Sequence, residues 1–245
     1  AEKYYNAVLK KYPDNQEAIS GLKKIYPNSL LRSDINELRV AYKEGKFREV
    51  EVRTKMYLDI YPDVPALLNL LAVSLADQKK FDEAVPYFEQ LVELNSLSAA
   101  AHFNLANIKK AVSDFDGAIK SYKTTIELSR DHTAAYNNLG NLYRMLGQFD
   151  LAVEYLSTIA RRFPNNAEII YNAGAAYYGQ GNYVDALPHF QKVISLDPNN
   201  KRAHLDIAVC LRNLKQFDEA KNYFVMVIEA IPDFLDAYNN FGSML

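Results

Sequence analysis

The sequence predicts an all-α protein, a solenoid of stacked helix–turn–helix repeats. Two observations predict this. First, residues 133–166, TAAYNNLGNLYRMLGQFDLAVEYLSTIARRFPNN, carry two helical patterns. Tyr136, Leu139, Gly140 and Tyr143 share one face of the first; Ala152, Leu156 and Ile159 share one face of the second. Gly147 sits at the junction and Pro164 ends the stretch. Second, the pattern recurs at a fixed step of 34 residues, the distance from Gly140 to Gly174. Forward lie Ala173, Gly174, Tyr177, Gly181, Tyr183, Ala186, Phe190 and Pro198, then Ile207, Ala208, Leu211, Phe217, Ala220, Phe224 and Pro232. Backward lie Leu105, Ala106, Phe115, Ala118 and Tyr122, then Leu71, Ala72, Phe81, Ala84 and Phe88. No insertion breaks the register from about Pro65 to Leu245. A lone hairpin of this kind cannot cover its apolar face, so a strict period means that the hairpins stack.

In chain order, aligning Pro13 with Pro164 puts Ala1 on Ala152, Tyr5 on Leu156 and Val8 on Ile159. The chain therefore opens on the second helix of a repeat and has no starting Met, which reads as a fragment of a longer protein or a processed one. Residues 16–25 suit a first helix, stopped by Pro27 and Asn28; residues 1–30 are expected to be degenerate or partial repeat helices. The array proper is expected over 31–245. Its first repeat keeps Gly45, Phe47 and Pro62 in register, but Asp34 and Glu37 stand where apolar residues belong. Ile35, Leu38 and Tyr42 restore the stripe one position on, so helices are expected over about 31–44 and 47–60. Val50 and Thr54 replace the small and aromatic positions of the second helix, which predicts less regular packing. Later repeats start near Pro65, Ala99, Thr133, Ala167 and Lys201, with a partial one at Leu235. Pro86 and Pro188 read as lying in the first turn of their second helices, where a missing N–H costs little. Asp82, Asp116, Asp150, Asp185 and Asp218 cluster at the same helix starts, where the helix dipole favours negative charge. The last repeat stops at Leu245 inside its first helix, which reads as truncation or as a face buried against a neighbour.

The recurring aromatic, small and proline positions resemble the tetratricopeptide repeat (TPR) family over most of the chain. The resemblance implies a right-handed α–α superhelix whose first helices line an inner, concave surface.

Bulk properties narrow the function. The 245 residues are 49% hydrophobic and 24% charged, with a net charge of −2, so no strong pull toward nucleic acid or an anionic membrane surface is expected. No apolar run approaches a membrane span. Cys210 is the single cysteine, so no internal disulfide can form; this fits a reducing, cytoplasmic compartment. The residues offer no catalytic constellation. His102 and His204 fall on the apolar position of Tyr136 and are expected in the core, His132 falls in a turn and His189 in a second helix. No histidine or cysteine pair has zinc-ligand spacing, and Gly140 and Gly174 read as close-packing positions rather than a phosphate loop. No metal site and no cofactor are expected. The 18 tyrosines and 12 phenylalanines could suggest base stacking. Most of them, including Tyr122, Tyr143, Phe149, Tyr177, Tyr183, Phe190, Phe217 and Phe224, fall on core positions instead.

What remains is the arc of each first helix opposite its apolar stripe. The sixth residues of successive repeats read Leu70, Asn104, Asn138, Asn172, Asp206 and Asn240. Asn107 and Asn141 add the ninth position, and Asn69, Asn137 and Asn239 the fifth. An amide donates and accepts, so a row of amides can pair with the backbone of an extended peptide without reading its sequence. This row resembles the asparagine ladder in the TPR region of the O-linked N-acetylglucosamine transferases, which implies the same backbone-holding role for Asn104, Asn138, Asn172 and Asn240. Asp206 departs from it, since a carboxylate only accepts, and Leu70 ends it. Lys110, Arg144 and Arg212 share the twelfth position and Arg202 holds a second position; they would meet acidic groups of a ligand. Phe103, Tyr171 and Tyr178 would supply apolar or stacking contacts. The chaperone-binding TPR class needs a Lys where this chain has Phe103, four residues before Asn107, so binding of chaperone tails is disfavoured. The expected function is a non-catalytic scaffold binding a protein or an extended peptide, with no nucleic acid and no membrane insertion. Two alternatives stand beside it: a substrate-recruiting arm of a larger glycosyltransferase, sulfotransferase or methyltransferase, and a scaffold that self-associates end to end.

Overall fold

A computed structural model describes residues 2–12, 15, 17–18, 20–21, 28–230 and 235–244. Pro13, Pro27, Pro232 and Leu245, and most of the helix expected over 16–25, lie outside the described residues. The described chain is helical. Its elements are α1 (Glu2–Lys11), α2 (Asn28–Lys43), α3 (Phe47–Leu58), α4 (Pro65–Asp77), α5 (Phe81–Leu94), α6 (Ala99–Ala111) and α7 (Phe115–Leu128). They continue with α8 (Thr133–Met145), α9 (Phe149–Arg162), α10 (Ala167–Gly179), α11 (Tyr183–Leu196), α12 (Lys201–Asn213), α13 (Phe217–Ala230) and α14 (Leu235–Gly242). Two compact blocks are formed, Ala1–Leu128 and Ser129–Leu245. Each is an all-α helical-repeat solenoid.

The five hairpins from Pro65 to Ala230 close on the same interlock. The first helix offers a small residue, Ala72, Ala106, Gly140, Gly174 or Ala208, and the second offers a large one, Phe88, Tyr122, Leu156, Phe190 or Phe224, all buried. A Cβ added to Gly140 would stand 2.3 Å from Leu156 Cγ, and one added to Gly174 would stand 2.9 Å from His189 Cβ. Ala84, Ala118, Ala152, Ala186 and Ala220 are fully buried in the second helices. Burying each large side chain supplies about 1.5–3 kcal/mol. The amino ends of first helices are capped in sequence: Ser98, His132, Asn166 and Asn200 accept from the backbone N–H three residues on.

The carboxyl ends share one geometry. Gly147 has φ 72°. Its N–H reaches Arg144 O at 3.1 Å and the next N–H, of Gln148, reaches Tyr143 O at 2.9 Å, a Schellman turn. Gly45 and Gly181 repeat it, but Lys79, Ser113 and Lys215 hold the same position with φ of 60°, 64° and 63°.

Some side chains lie differently from expectation. Pro86 and Pro188 are the sixth residues of α5 and α11, in the second turn and not the first. The helices survive because each proline is exposed. The carbonyls deprived of a donor belong to Asp82, also exposed, and to Val184, 67% exposed, so water can serve both. Phe217 is 50% exposed and not in the core: α14 sets Phe241 against Phe224, ring centroids 5.7 Å apart, and leaves the start of α13 open. His102 and His204 are half-buried, each ring Nε2 donating at 2.9 Å to a carbonyl of the preceding turn, Ser96 O and Pro198 O. In the first full hairpin Ile35, Leu38 and Ala41 are buried, with Tyr42 packed beside them. Val50 and Thr54 are both fully buried, and the Thr54 hydroxyl finds no partner. An unpaired buried hydroxyl costs roughly 1–3 kcal/mol.

Glu51, only 7% exposed, ties α3 to the α4–α5 turn. Its carboxylate accepts from Lys55 Nζ at 2.7 Å, Lys80 Nζ at 2.7 Å and Gln78 Nε2 at 3.0 Å. Burial alone would raise its pKa, but these three bonds outweigh it and hold the carboxyl at about 2, against an ordinary 4.5.

Two predictions follow from these turns and this carboxylate. Lys79→Gly, Ser113→Gly and Lys215→Gly should each stabilise the fold by roughly 0.5–1 kcal/mol, read as a higher urea midpoint, because a left-handed L residue is strained and glycine is not; Gly147→Ala should lower the midpoint. A depressed carboxyl stabilises above its unfolded pKa and loses that effect as pH falls through its folded one. Glu51→Gln should therefore destabilise the first block at pH 7, and its difference from the parent should shrink between pH 4.5 and about 2, read by unfolding melts across that range.

Candidate functional site

The candidate residues lie on the first helices, and each block is built separately. In the first block Asn104 and Asn107 project from α6 into a cleft of about 320 Å³. Its floor is apolar, from Val73, Ala76, Phe81 and Ile108, and Tyr42 and Asp77 complete its rim. Tyr42 OH donates to Asp77 Oδ2 at 2.5 Å. Burial, then that bond, pushes the Tyr42 hydroxyl up to about 12, so it stays a donor at neutral pH. Asn107 Oδ1 accepts from Tyr122 OH at 2.6 Å, a bond between the two helices of one hairpin. Phe103 packs on the same tyrosine, ring centroids 6.0 Å apart. Lys110 is half-buried one turn on from Asn107. The sequence reading missed Tyr42, Asp77 and the apolar floor, which come from other repeats except for Ile108 of α6 itself; Tyr42 and Ala76 do share the twelfth helical position of Lys110, the one signal that pointed to them.

In the second block Asn138, Asn141, Asn172 and Asn240 are all half-buried. They are not a bare arc, because neighbouring first helices bond to each other through it. Asn172 Nδ2 donates to Asn137 Oδ1 at 2.7 Å, and Asn137 Nδ2 to Glu168 Oε1 at 3.0 Å. One step along, Tyr171 OH donates to Asp206 Oδ2 at 2.5 Å. The fifth position of one helix thus meets the sixth of the next. Arg144 Nη1 donates to Asn141 Oδ1 at 2.9 Å. Arg212 Nη1 donates to Asn240 Oδ1 at 3.1 Å and to Ser243 Oγ at 2.8 Å, and Asn240 Nδ2 donates to Asp236 O at 2.8 Å. Arg202 lies over the Tyr171 ring, 5.2 Å from its centroid, and Tyr178 meets Tyr183 edge-on at 5.5 Å.

Charge is unevenly solvated here. Burial raises the Asp206 carboxyl, opposed by the Tyr171 hydrogen bond and by Arg202 and Arg144. Burial also lowers the Arg144 guanidinium, and among the described residues no carboxylate stands within ion-pair distance of it. Burial, then the Asp206 charge, pushes the Tyr171 hydroxyl strongly upward, so Tyr171 remains a donor. Burial, then Asp206, takes the Cys210 thiol to about 12, which makes it a poor nucleophile. Among the described residues no group of three His, Cys, Asp or Glu could hold a metal ion, and no helix is long and apolar enough to cross a membrane. The arrangement is a wall of amide, phenol and guanidinium groups suited to hydrogen bonding.

Comparison with known proteins agrees with this architecture. Tetratricopeptide repeat profiles match residues 69–109, 96–165, 132–199 and 177–242. No curated protein sequence matches the chain. Among solved structures, the C-terminal part of a TPR repeat-containing protein from Cytophaga hutchinsonii superposes with a TM-score of 0.72 at 24% identity, covering 80% of this chain and 78% of that one. YrrB, described as a TPR protein with an unusual peptide-binding site, gives 0.67 at 19% identity, covering 76% and 96%. MamA from Desulfovibrio magneticus, residue 41 to its end, gives 0.63 at 19% identity, covering 67% and 93%. With the profiles in phase over residues 69–242, the chain belongs to the tetratricopeptide repeat family.

Proposed function

We propose that the chain is a non-catalytic module that binds an extended segment of a partner protein along its first-helix faces. The observation that carries this reading is the recurrence of half-buried side-chain amides at one helical position, Asn138 and Asn172 in the second block and Asn104 in the first. The Asn172 oxygen keeps acceptor capacity after its Nδ2 bonds to Asn137, and the spacing of the three amides is set by rigid helices rather than loops. In the first block the amides stand over an apolar cleft, so a peptide backbone held by Asn104 would direct a side chain onto Val73, Phe81 and Ile108. In the second block Arg144 and Arg202 favour acidic neighbours in the bound segment. The peptide-binding site named for YrrB, a protein of similar fold, supports the general class of ligand.

The test is calorimetric titration of the partner captured by the intact chain. Asn138→Ala with Asn172→Ala should weaken binding by roughly five- to a hundredfold, since each bond contributes about 0.5–1.5 kcal/mol, with far-ultraviolet circular dichroism unchanged. Asn104→Ala tests the first block separately. Unaltered affinity in both would remove the assignment.

A further inference from the structure

Among the described turns that end a hairpin, those at residues 62, 96, 130 and 198 present a backbone carbonyl in one register, and a side chain caps each. Pro62 O accepts from Gln90 Nε2 at 3.2 Å. Ser96 O accepts from His102 Nε2 at 2.9 Å, and Pro198 O from His204 Nε2 at 2.9 Å. Arg130 O accepts from Arg162 Nη1. Pro164 stands in the same register, 34 residues after Arg130 and 34 before Pro198. Its carbonyl has no protein donor among the described residues. Ile170 occupies the place of His102 and His204, and its side chain has no N–H to give; its backbone N–H goes to Asn166 O at 3.1 Å.

At this place a cleft of about 240 Å³ opens between α9, α10 and α11. Ala160, Pro164, Ile170 and Pro188 make it apolar. In the hairpins on either side the equivalent space holds paired rings, Tyr136 with Tyr155 at 6.2 Å and His204 with Tyr223 at 5.9 Å. Here the facing ring is the smaller His189, whose Nδ1 donates to Asp185 O at 2.8 Å. The rim is cationic: Arg161 and Lys192 line it, neither has a carboxylate within ion-pair distance among the described residues, and no Asp or Glu lines the cleft.

We propose that this cleft docks a tryptophan side chain carried in an acidic segment of a partner protein. The indole covers the apolar floor, its N–H caps the Pro164 carbonyl as the imidazoles of His102 and His204 cap theirs, and flanking carboxylates meet Arg161 and Lys192. An indole suits the place better than an imidazole, because it is larger, more apolar and never cationic beside that rim. The site is separate from the first-helix amides and does not depend on their role.

The chain has no tryptophan, so indole fluorescence reports the ligand alone. The probe is a blocked Asp-Glu-Trp-Glu-Asp peptide titrated with the intact chain. A saturable blue shift is expected. Ile170→His should weaken it roughly tenfold or more, with an unchanged or raised unfolding midpoint, by supplying the ring from within. Arg161→Glu with Lys192→Glu, both at exposed positions, should weaken the acidic peptide and favour a lysine-flanked one. A peptide with N-methylated indole should bind more weakly. Asn138→Ala with Asn172→Ala should change nothing. No saturable signal overturns the proposal. So does equal binding by Ile170→His or by the methylated probe, a charge reversal without effect, or loss of binding on amide replacement, which would move the peptide to the first-helix face.

Discussion

The structure depends on the close approach of two helices at one point in each hairpin from Pro65 to Ala230. Where Gly140 meets Leu156, and Gly174 meets His189 and Phe190, there is no room for even a methyl group. A helical glycine costs about 1 kcal/mol relative to alanine; here that loss is offset by burying a large side chain against bare backbone. Because the contact repeats at constant spacing, the hairpins are equal in length and stack in register. Because it consumes only one face of each helix, the remaining positions are free to vary.

That freedom explains the polar character of the first-helix face. The amides there are half-buried, too far from bulk water to be left unpaired and too near it to be replaced by apolar groups. Polar groups of this face bond to one another, as the Asn172 amide does to Asn137 and the Tyr171 hydroxyl to Asp206. Such a net fixes rotamers before any ligand arrives, which reduces the entropy lost on binding. It also means that a ligand competes with existing bonds, so its net gain per contact is modest and several contacts must act together.

Departures from the repeat are as informative as the repeat itself. Lys79, Ser113 and Lys215 adopt a backbone that suits glycine, because the Schellman turn demands it whatever the residue. Thr54 buries a hydroxyl where other hairpins place a ring or leucine. Ile170 leaves one turn carbonyl uncapped and a cleft beside it, where its neighbours fill the space themselves. A consistent local code makes each exception visible as a site under some other requirement.

The all-α repeat architecture was legible in the sequence. Its signal, apolar, small and turn residues at a constant step, reports the same hairpin contact many times over, so error at one position is corrected by the others. The shared helical position of Asn138 and Asn172 was legible too, because the 34-residue step and helical geometry alone set it. Other features were not. The exposure of Phe217 and the place of Pro86 and Pro188 depend on where a helix starts and what covers it. The pairing of Tyr171 with Asp206, and the cleft shared by Tyr42, Asp77 and Asn104, join residues of different repeats. The capped carbonyls need backbone and side chain brought together across a turn. Periodicity fixes the angle of a residue about its own helix, and only packing decides which neighbour stands opposite.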